Sequence, residues 1–273
     1  MTVLGMRSRR SRLAWCAALL ASLICAGSAW AETALEKKIR DEAAPHMAVG
    51  SSEPTVVAHF ATLIGFIEGN PGNAARLQAL HETVERCVAY RRGIGAPIHA
   101  PTEWPEHLNG TREDLYVTDR FAITYFHSWI YGALNPDCSH QSPGDEQHTA
   151  VLKSRAGLCR IDLIAKTAKG QCDMDTHRNA RLRSSAPIAR DATAQVAGLR
   201  CQLLSDVLGD ICVATDGRMA PTFPLVLSHG SALRGYMKAV RAALDIAVSE
   251  RTFAPHLQGG FSVQEVKNNA ARP

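Results

Sequence analysis

The chain has 273 residues, of which 30 are basic and 26 are acidic, and 46% are hydrophobic. The first 31 residues hold four arginines and no acidic residue, so the rest of the chain carries 26 residues of each sign and no net charge. A nucleic-acid-binding protein keeps a basic excess after processing, so these numbers argue against nucleic acid as a partner. The remaining length suits one large domain or two small ones, either of which can bury a core.

Residues 1–31 have the pattern of a signal peptide. Four arginines precede an apolar stretch over residues 13–26, and Ala29-Trp30-Ala31 places small residues where a signal peptidase reads, so we expect cleavage after Ala31. The apolar stretch is shorter than the roughly 20 residues of a membrane-spanning helix, and no second long apolar run follows it. We therefore expect a periplasmic or secreted protein with no transmembrane span in the mature chain, exported as an unfolded chain or, alternatively, through a twin-arginine signal.

The next part of the chain, residues 32–112, predicts a helical region that ends in a connector rich in proline and glycine. Ser52-Glu53-Pro54 is typical of a helix N-terminus, and apolar residues then recur at helical spacing as far as Ile67. A second helix is predicted over residues 74–90, antiparallel to the first. Residues 93–112 contain too many prolines and glycines for a long element.

Residues 113–255 predict a curved antiparallel sheet, in which Phe121, Ile123 and Tyr125 alternate as in a half-buried strand. Two hairpins are expected later in this region, followed by a helix near residues 234–249 and a loosely ordered tail over residues 256–273. The expected fold class is thus α+β: an N-terminal helical pair, a disulfide-stapled antiparallel sheet and a C-terminal helix.

Six cysteines follow the leader, and an even number in an oxidising compartment predicts a disulfide framework. Each predicted hairpin brings two cysteines to the separation that a disulfide needs. The remaining pair would tie the second helix to a loop of the sheet. None has the C-x-x-C spacing of a redox or metal site. The predicted bridges are Cys159–Cys172, Cys201–Cys212 and Cys87–Cys138.

Other motifs in the chain predict neither a metal site nor a catalytic one. Residues 137–140 and His148 include metal-ligand types, but zinc needs three or four converging ligands, so we expect a polar surface loop. Residues 228–231 (Ser-His-Gly-Ser) invite a serine-hydrolase interpretation, yet the G-x-S-x-G elbow is absent. The arginines between residues 178 and 190 are typical of a solvated loop. No phosphate-binding or dinucleotide motif occurs, so we expect no cofactor.

Aromatic residues are concentrated between Tyr116 and Tyr131, where they could form sheet core or line an apolar pocket. The residues expected to line such a pocket are Phe121, Tyr125, Trp129 and Leu163.

Residues 196–201 (Val-Ala-Gly-Leu-Arg-Cys) and 211–214 (Ile-Cys-Val-Ala) resemble a segment of exported proteins related to bacterial periplasmic lipoprotein carriers. Those proteins fold as an incomplete β-barrel covered by helices, with an apolar cavity for acyl chains. The resemblance, over roughly residues 114–230, implies an exported binding or carrier protein for an apolar small molecule or lipid. The cysteines and the N-terminal helical region depart from the simple carriers. The alternatives are a non-enzymatic protein that interacts with an envelope protein, and an exported hydrolase that uses His229 and a nearby serine.

Overall fold

The structure is a computed structural model, and it describes residues 37, 41–45, 53–66, 72–102, 104–131, 134–139, 145–179, 192–206, 209–219, 221, 223–231 and 235–266. Within these ranges the chain forms a twelve-stranded sheet with one long and one short helix, and residues 37 and 41 are also helical. The elements in chain order are β1 (Thr55–Phe66), α1 (Asn73–Gly93), β2 (Asn109–Val117), β3 (Phe121–Ile130), β4 (Asp145–Ser154), β5 (Gly157–Asp162), β6 (Thr167–Gly170), α2 (Met174–Asn179), β7 (Ala192–Val196), β8 (Leu199–Asp206), β9 (Gly209–Ala214), β10 (Val226–Ser231), β11 (Gly235–Ser249), two 3-10 turns (Glu250–Phe253 and Pro255–Leu257) and β12 (Ser262–Glu265).

The strands lie in the order β12-β6-β5-β4-β3-β2-β1-β11-β10-β9-β8-β7. All neighbours are antiparallel except β12 and β6, which run parallel. Antiparallel neighbours need only short turns, and most strands here pair with the next one along the chain. The two exceptions are β1, which pairs with β11, and β12, which closes the far edge. No helix among the described residues is long and apolar enough to cross a membrane.

The predicted N-terminal helical pair is wrong, because its first member is the central strand β1. All residues from Ala58 to Leu63 are buried, so both faces of this strand are covered. A strand buried on both faces reads as a continuous apolar run, which periodicity alone does not separate from a buried helix. The second predicted helix does form, as α1. The predicted connector after it has no helix or strand over residues 94–102 and 104–108, but its end, residues 109–112, belongs to β2.

The predicted helix near residues 234–249 is also wrong, because this segment is β11. It pairs with β1 on one side and with β10 on the other. Two register shifts interrupt its pairing with β1, between Ala58 and Phe60 and between Thr62 and Leu63. A register shift moves the apolar positions off strict alternation, so their spacing imitates that of a helix. In the region predicted as a loosely ordered tail, the structure places a 3-10 turn and β12.

The two faces of the sheet carry separate apolar cores. The front face is the one that carries Phe60, Tyr116 and Tyr125, and it is covered by the 3-10 turns and α2 through Phe253 and Met174. The back face carries further apolar side chains of β1, β2 and β3, and it is covered by β7 to β10. Two covered faces explain why the central strands bury nearly every side chain.

The sheet bends back on itself at the β7 end. Leu63 of β1 and Val196 of β7 belong to the same apolar cluster on the back face. The two strands are five positions apart, which in a flat sheet would separate them by about 24 Å. Their common cluster therefore requires strong curvature between β11 and β7.

All three predicted disulfides are confirmed, although the cysteines of the two hairpin bridges do not lie directly opposite each other. Cys212 lies opposite Leu203 in the β8–β9 hairpin, so it reaches Cys201 diagonally, at a Cα separation of 5.4 Å. Cys159 lies opposite Gly170, and its partner Cys172 follows two residues later, at a Cα separation of 4.8 Å. The third bridge joins α1 to the loop between β3 and β4 through Cys87 and Cys138. Three disulfides indicate an oxidising compartment.

Candidate functional site

Two neighbouring cavities lie beside the 3-10 turns that follow β11. The larger one has a volume of about 1260 Å³ and is bounded by α2, both 3-10 turns and β12. Its lining consists of Pro54, Cys172, Asp173, Met174, Asp175, Arg178, Ser249, Glu250, Arg251, Ala254, His256, Leu257, Gln258, Gly259, Val263 and Glu265. A concave site of this size accommodates a small molecule. The larger cavity is therefore the first place to look for a ligand.

The smaller cavity has a volume of about 690 Å³ and lies between the start of β1 and the β2–β3 turn. Its lining includes three arginines and three acidic residues, with apolar surface from Val56, Val57, Phe121 and Met219. Opposite charges are balanced there. Both cavities share Arg178 and Glu250. The two cavities are thus adjoining parts of one depression in the surface.

Arg178 is held firmly at the boundary between the cavities. Its Nη2 donates to Glu250 Oε2 at 2.6 Å, and its Nη1 donates to Asp175 Oδ1 at 3.0 Å. Its main-chain oxygen accepts a hydrogen bond from Arg120 Nη1 at 3.0 Å. The guanidinium group therefore forms a fixed partition and is not a free cation for a ligand.

The sequence places α2 against the sheet through a disulfide and a buried histidine. Cys172, just before α2, is bonded to Cys159 of β5. His177 in α2 is fully buried, and its ring nitrogens contact Ser154 Oγ and the main-chain oxygen of Gln171, both at 2.6 Å. These contacts make the wall of the larger cavity rigid.

His256 lies in the wall of the larger cavity, and one of its ring nitrogens has no hydrogen-bond partner among the described residues. Its side chain is 3% exposed, and Nε2 lies 2.9 Å from the main-chain oxygen of Cys172, to which it donates. Burial lowers the pKa of His256, which favours the neutral ring. The other nitrogen, Nδ1, is then an acceptor, and it has no hydrogen-bond partner among the described residues. A buried acceptor without a donor costs about 1–3 kcal/mol, so a donor from water or a ligand would be favourable here.

The larger cavity combines apolar surface with an excess of negative charge. Met174, Ala254, Leu257 and Val263 supply apolar area. The lining contains four carboxylates and two guanidinium groups. Both guanidinium groups are already paired, since Arg178 binds two of those carboxylates and Arg251 Nη1 lies 3.0 Å from Glu53 Oε1.

Asp173 is one of the carboxylates that keep their charge. The hydroxyl and amide of Thr176 and the amide of Asp175 donate to its oxygens. These hydrogen bonds hold the pKa of Asp173 below its usual value. The cavity suits a molecule with an apolar body and a cationic or donor-rich end.

The four residues predicted to line an apolar pocket lie mostly in the front-face core. Phe121 lines the smaller cavity and also packs against Phe253, with ring centroids 4.9 Å apart. Tyr125 donates its hydroxyl to the main-chain oxygen of Thr252 at 2.7 Å. Trp129 is 2% exposed, and Leu163 is partly buried against the front-face core. The last three do not belong to the lining of either cavity.

A second polar cluster lies on the front face, away from both cavities. His127 on β3 lies between two carboxylates, with Nδ1 3.2 Å from Glu42 Oε2 and Nε2 2.5 Å from Glu146 Oε1. Its ring stacks on His148, with centroids 4.8 Å apart. The described residues contain no group of three or more side chains that could hold a metal ion. His140, from the loop considered above for metal, lies outside the described residues.

His59 and Asp245 form a buried network behind the smaller cavity. The ring of His59 accepts a hydrogen bond from the Asp245 amide at 3.0 Å and donates to the main-chain oxygen of Met219 at 3.1 Å. The Asp245 carboxylate accepts from the amides of Arg218 and Met219. Because both ring nitrogens bind the main chain, this histidine orders the loop and has no nitrogen left for catalysis.

The hydrolase alternative depends on His229, which the structure places on β10. Its Nε2 lies 3.5 Å from Glu113 Oε2. Within the described side chains, no serine hydroxyl is recorded as a partner of this ring. The side chain of Ser231 lies outside that set. Among the described side chains, the geometry thus contains a carboxylate–histidine contact but no serine nucleophile beside it, which the chemistry requires.

Comparisons with protein-family models, with curated proteins and with solved structures found no match.

Sequence reasoning misses the residues of the larger cavity because they are far apart in the chain. The sequence predicts Arg178 to be part of a solvated basic stretch, whose other arginines lie outside the described residues. Glu250 and Leu257 follow a strand that the sequence predicts as a helix. No motif links these positions, and only the fold brings them together.

Proposed function

We propose that this chain is an exported binding protein that holds an amphipathic small molecule in the larger cavity. The observation that carries the proposal is the mixed lining of that cavity, with apolar side chains beside paired cations and excess carboxylates. The leader pattern and the three disulfides support an extracytoplasmic location, in the periplasm or outside the cell.

The lining favours a ligand with an apolar body and a positively charged end. Leu257 and Val263 are 63% and 42% exposed, so both offer apolar surface that a ligand in the cavity can cover. The carboxylates of Asp173 and Glu265 are close enough to the same space to attract an ammonium group. This refines the expectation of an apolar ligand or lipid to a cationic amphiphile.

Titration calorimetry with three ligands of one chain length tests this choice. Dodecylamine, dodecanol and dodecanoate share one chain length and have a cationic, a neutral and an anionic end group, and each is used below its solubility limit or critical micelle concentration. We expect the amine to bind most tightly and the carboxylate most weakly, and the preference for the amine to shrink in Glu265→Gln. Equal affinity for all three would show that the carboxylates do not select the ligand.

A second candidate function is docking of an envelope protein on the edge strand β12. All four residues of β12 are exposed. Ser262 and Val266 donate their amides toward β6, so the amide of Val263 points to the free edge. An extended segment of a partner can add to such an edge. Val263→Pro removes that donor, so it should abolish strand addition, whereas Leu257→Arg should leave it unchanged.

A further inference from the structure

Residues 41–45 (Asp-Glu-Ala-Ala-Pro) lie on the front face of the sheet, far along the chain from the strands that they contact. Ala44 is 8% exposed and belongs to the front-face core. The contacts of its neighbours reach β2, β3 and β11. This short segment is therefore held by three strands at once.

Two arginines converge on one main-chain oxygen of the segment. Arg112 Nη1 donates to the oxygen of Glu42 at 2.8 Å, and Arg241 Nη2 donates to the same oxygen at 3.0 Å. A second main-chain oxygen, that of Pro45, accepts from the hydroxyl of Tyr116 at 2.9 Å. Side chains of the sheet thus bind the backbone of the segment.

Contacts within the sheet help to orient the donors that bind the segment. Arg112 is 1% exposed, and its Nε and Nη2 donate to the two oxygens of Asp114 at 2.9 and 3.1 Å. The hydroxyl of Thr62 donates to Asp114 at 2.6 Å. Because Asp114 holds Nε and Nη2 of Arg112, the sheet itself orients Nη1 toward the segment.

One side chain of the segment is also recognised. The Glu42 carboxylate lies 3.2 Å from His127 Nδ1 and 3.9 Å from Arg112 Nη1. The other nitrogen of His127 contacts Glu146. The surface therefore contacts the main-chain oxygen and carboxylate of Glu42, the small side chain of Ala44 and the main-chain oxygen of Pro45.

We propose that this surface is an exchangeable peptide-docking site, which residues 41–45 occupy as a tethered ligand. Every contact described is a non-covalent one between sheet side chains and a short segment that forms no strand, so an untethered peptide in the same conformation can make the same set. The partner that fits is an exposed segment of another protein with an acidic residue, a small residue two positions later and then proline. This site is separate from the two cavities, and it does not depend on the proposed ligand of the larger cavity.

The test uses the full mature chain with a protease recognition sequence in place of residues 47–51. The protein is folded first and cleaved afterwards, so that folding never depends on the free peptide. A labelled synthetic peptide of residues 32–46 is then added, and its exchange with the cleaved segment is followed by fluorescence anisotropy. We expect saturable exchange, with affinity reduced about three- to tenfold by Glu42→Gln in the peptide.

Two changes in the sheet identify the site. Tyr116→Phe keeps the ring and removes the hydroxyl that contacts Pro45, and Arg241→Gln removes a donor from an exposed side chain. Each should weaken the peptide about three- to tenfold, whereas Arg218→Gln, at an exposed arginine elsewhere, should not. The proposal is overturned if the cleaved segment leaves only on unfolding and the labelled peptide never enters. It is equally overturned if peptide affinity is the same in all three variants.

Discussion

Arg178 and Glu250 form an ion pair, with Nη2 2.6 Å from Oε2, that separates the two cavities beside the 3-10 turns. Arg178 comes from α2 and Glu250 from the turn after β11, so the pair also ties two distant segments together. The proposed ligand site depends on this partition, because it sets the end of the larger cavity.

A double-mutant cycle with Arg178→Met and Glu250→Gln measures the coupling energy of this pair. Both side chains are more than a third exposed, so solvent screening limits the coupling to about 0.5–1 kcal/mol in the free energy of unfolding. Urea unfolding of the four proteins measures it. The matched cycle with Asp175→Asn, whose side chain is 78% exposed, should give a smaller coupling. A larger coupling for Asp175 would contradict the partition.

Removal of a disulfide should destabilise the protein more when the bridge closes a longer loop. Cys87–Cys138 spans 51 positions and Cys201–Cys212 spans 11. The loop-entropy relation gives about 4 kcal/mol for the first and about 3 kcal/mol for the second. Paired Cys→Ser variants compared by urea unfolding under non-reducing conditions check this. If the short hairpin bridge costs more than the long one, the long bridge does not restrain the unfolded chain.

The contact between His127 and Glu42 should make the docking of residues 41–45 depend on pH. Their hydrogen bond raises the pKa of His127 above 6.5 and lowers the pKa of Glu42 below 4.5. The histidine contribution is complete below pH 6.5 and is lost as the pH rises through the raised pKa of His127. The carboxylate contribution is complete above pH 4.5 and is lost as the pH falls through the lowered pKa of Glu42.

The difference in unfolding free energy between wild type and His127→Gln should therefore be greatest between pH 4.5 and 6.5. Two other charged groups lie near this ring, the carboxylate of Glu146 and the guanidinium of Arg112. The ring of His148 stacks on it, and burial lowers the pKa of His148. Urea unfolding across the pH range measures the difference. A difference that does not change with pH would mean that the contact carries no charge.

Tyr125 offers a way to separate core residues from ligand-binding residues. Burial raises the pKa of its hydroxyl, which donates to the oxygen of Thr252. Tyr125→Phe should lower the free energy of unfolding by about 1 kcal/mol and leave ligand binding unchanged. Calorimetry with dodecylamine and urea unfolding on the same preparation show both effects. Loss of ligand affinity without loss of stability would instead place Tyr125 in the binding site.

The disulfides were predictable because cysteine chemistry depends on compartment and chain separation, both of which the sequence carries. The strands β1 and β11 were not, since their burial depends on partners far away in the chain. The run from Ala58 to Leu63 is buried on both sides only because β7 to β10 fold over the back face. The alanines of β11 have high helix propensity, and pairing with β1 overrides it.

The sequence does not indicate which residues line the candidate site. The sequence marks aromatic residues as pocket-forming, but Trp129 is used to fill the front face, and a side chain at Gly110 would meet its ring. The larger cavity instead uses isolated residues of α2, the 3-10 turns and β12. These residues share only their proximity in the folded chain, and such proximity leaves no pattern in the sequence.

The most direct test of the proposed function is native mass spectrometry of protein purified from the periplasm, comparing wild type with two arginine variants. Leu257→Arg places a charge on the apolar wall of the larger cavity, and Ile164→Arg alters a side chain of similar exposure outside it. We expect wild type and Ile164→Arg to carry the same small amphipathic molecule, and Leu257→Arg to carry at least about tenfold less of it. Equal occupancy in Leu257→Arg, or a wild-type protein that carries no such molecule, would contradict the account.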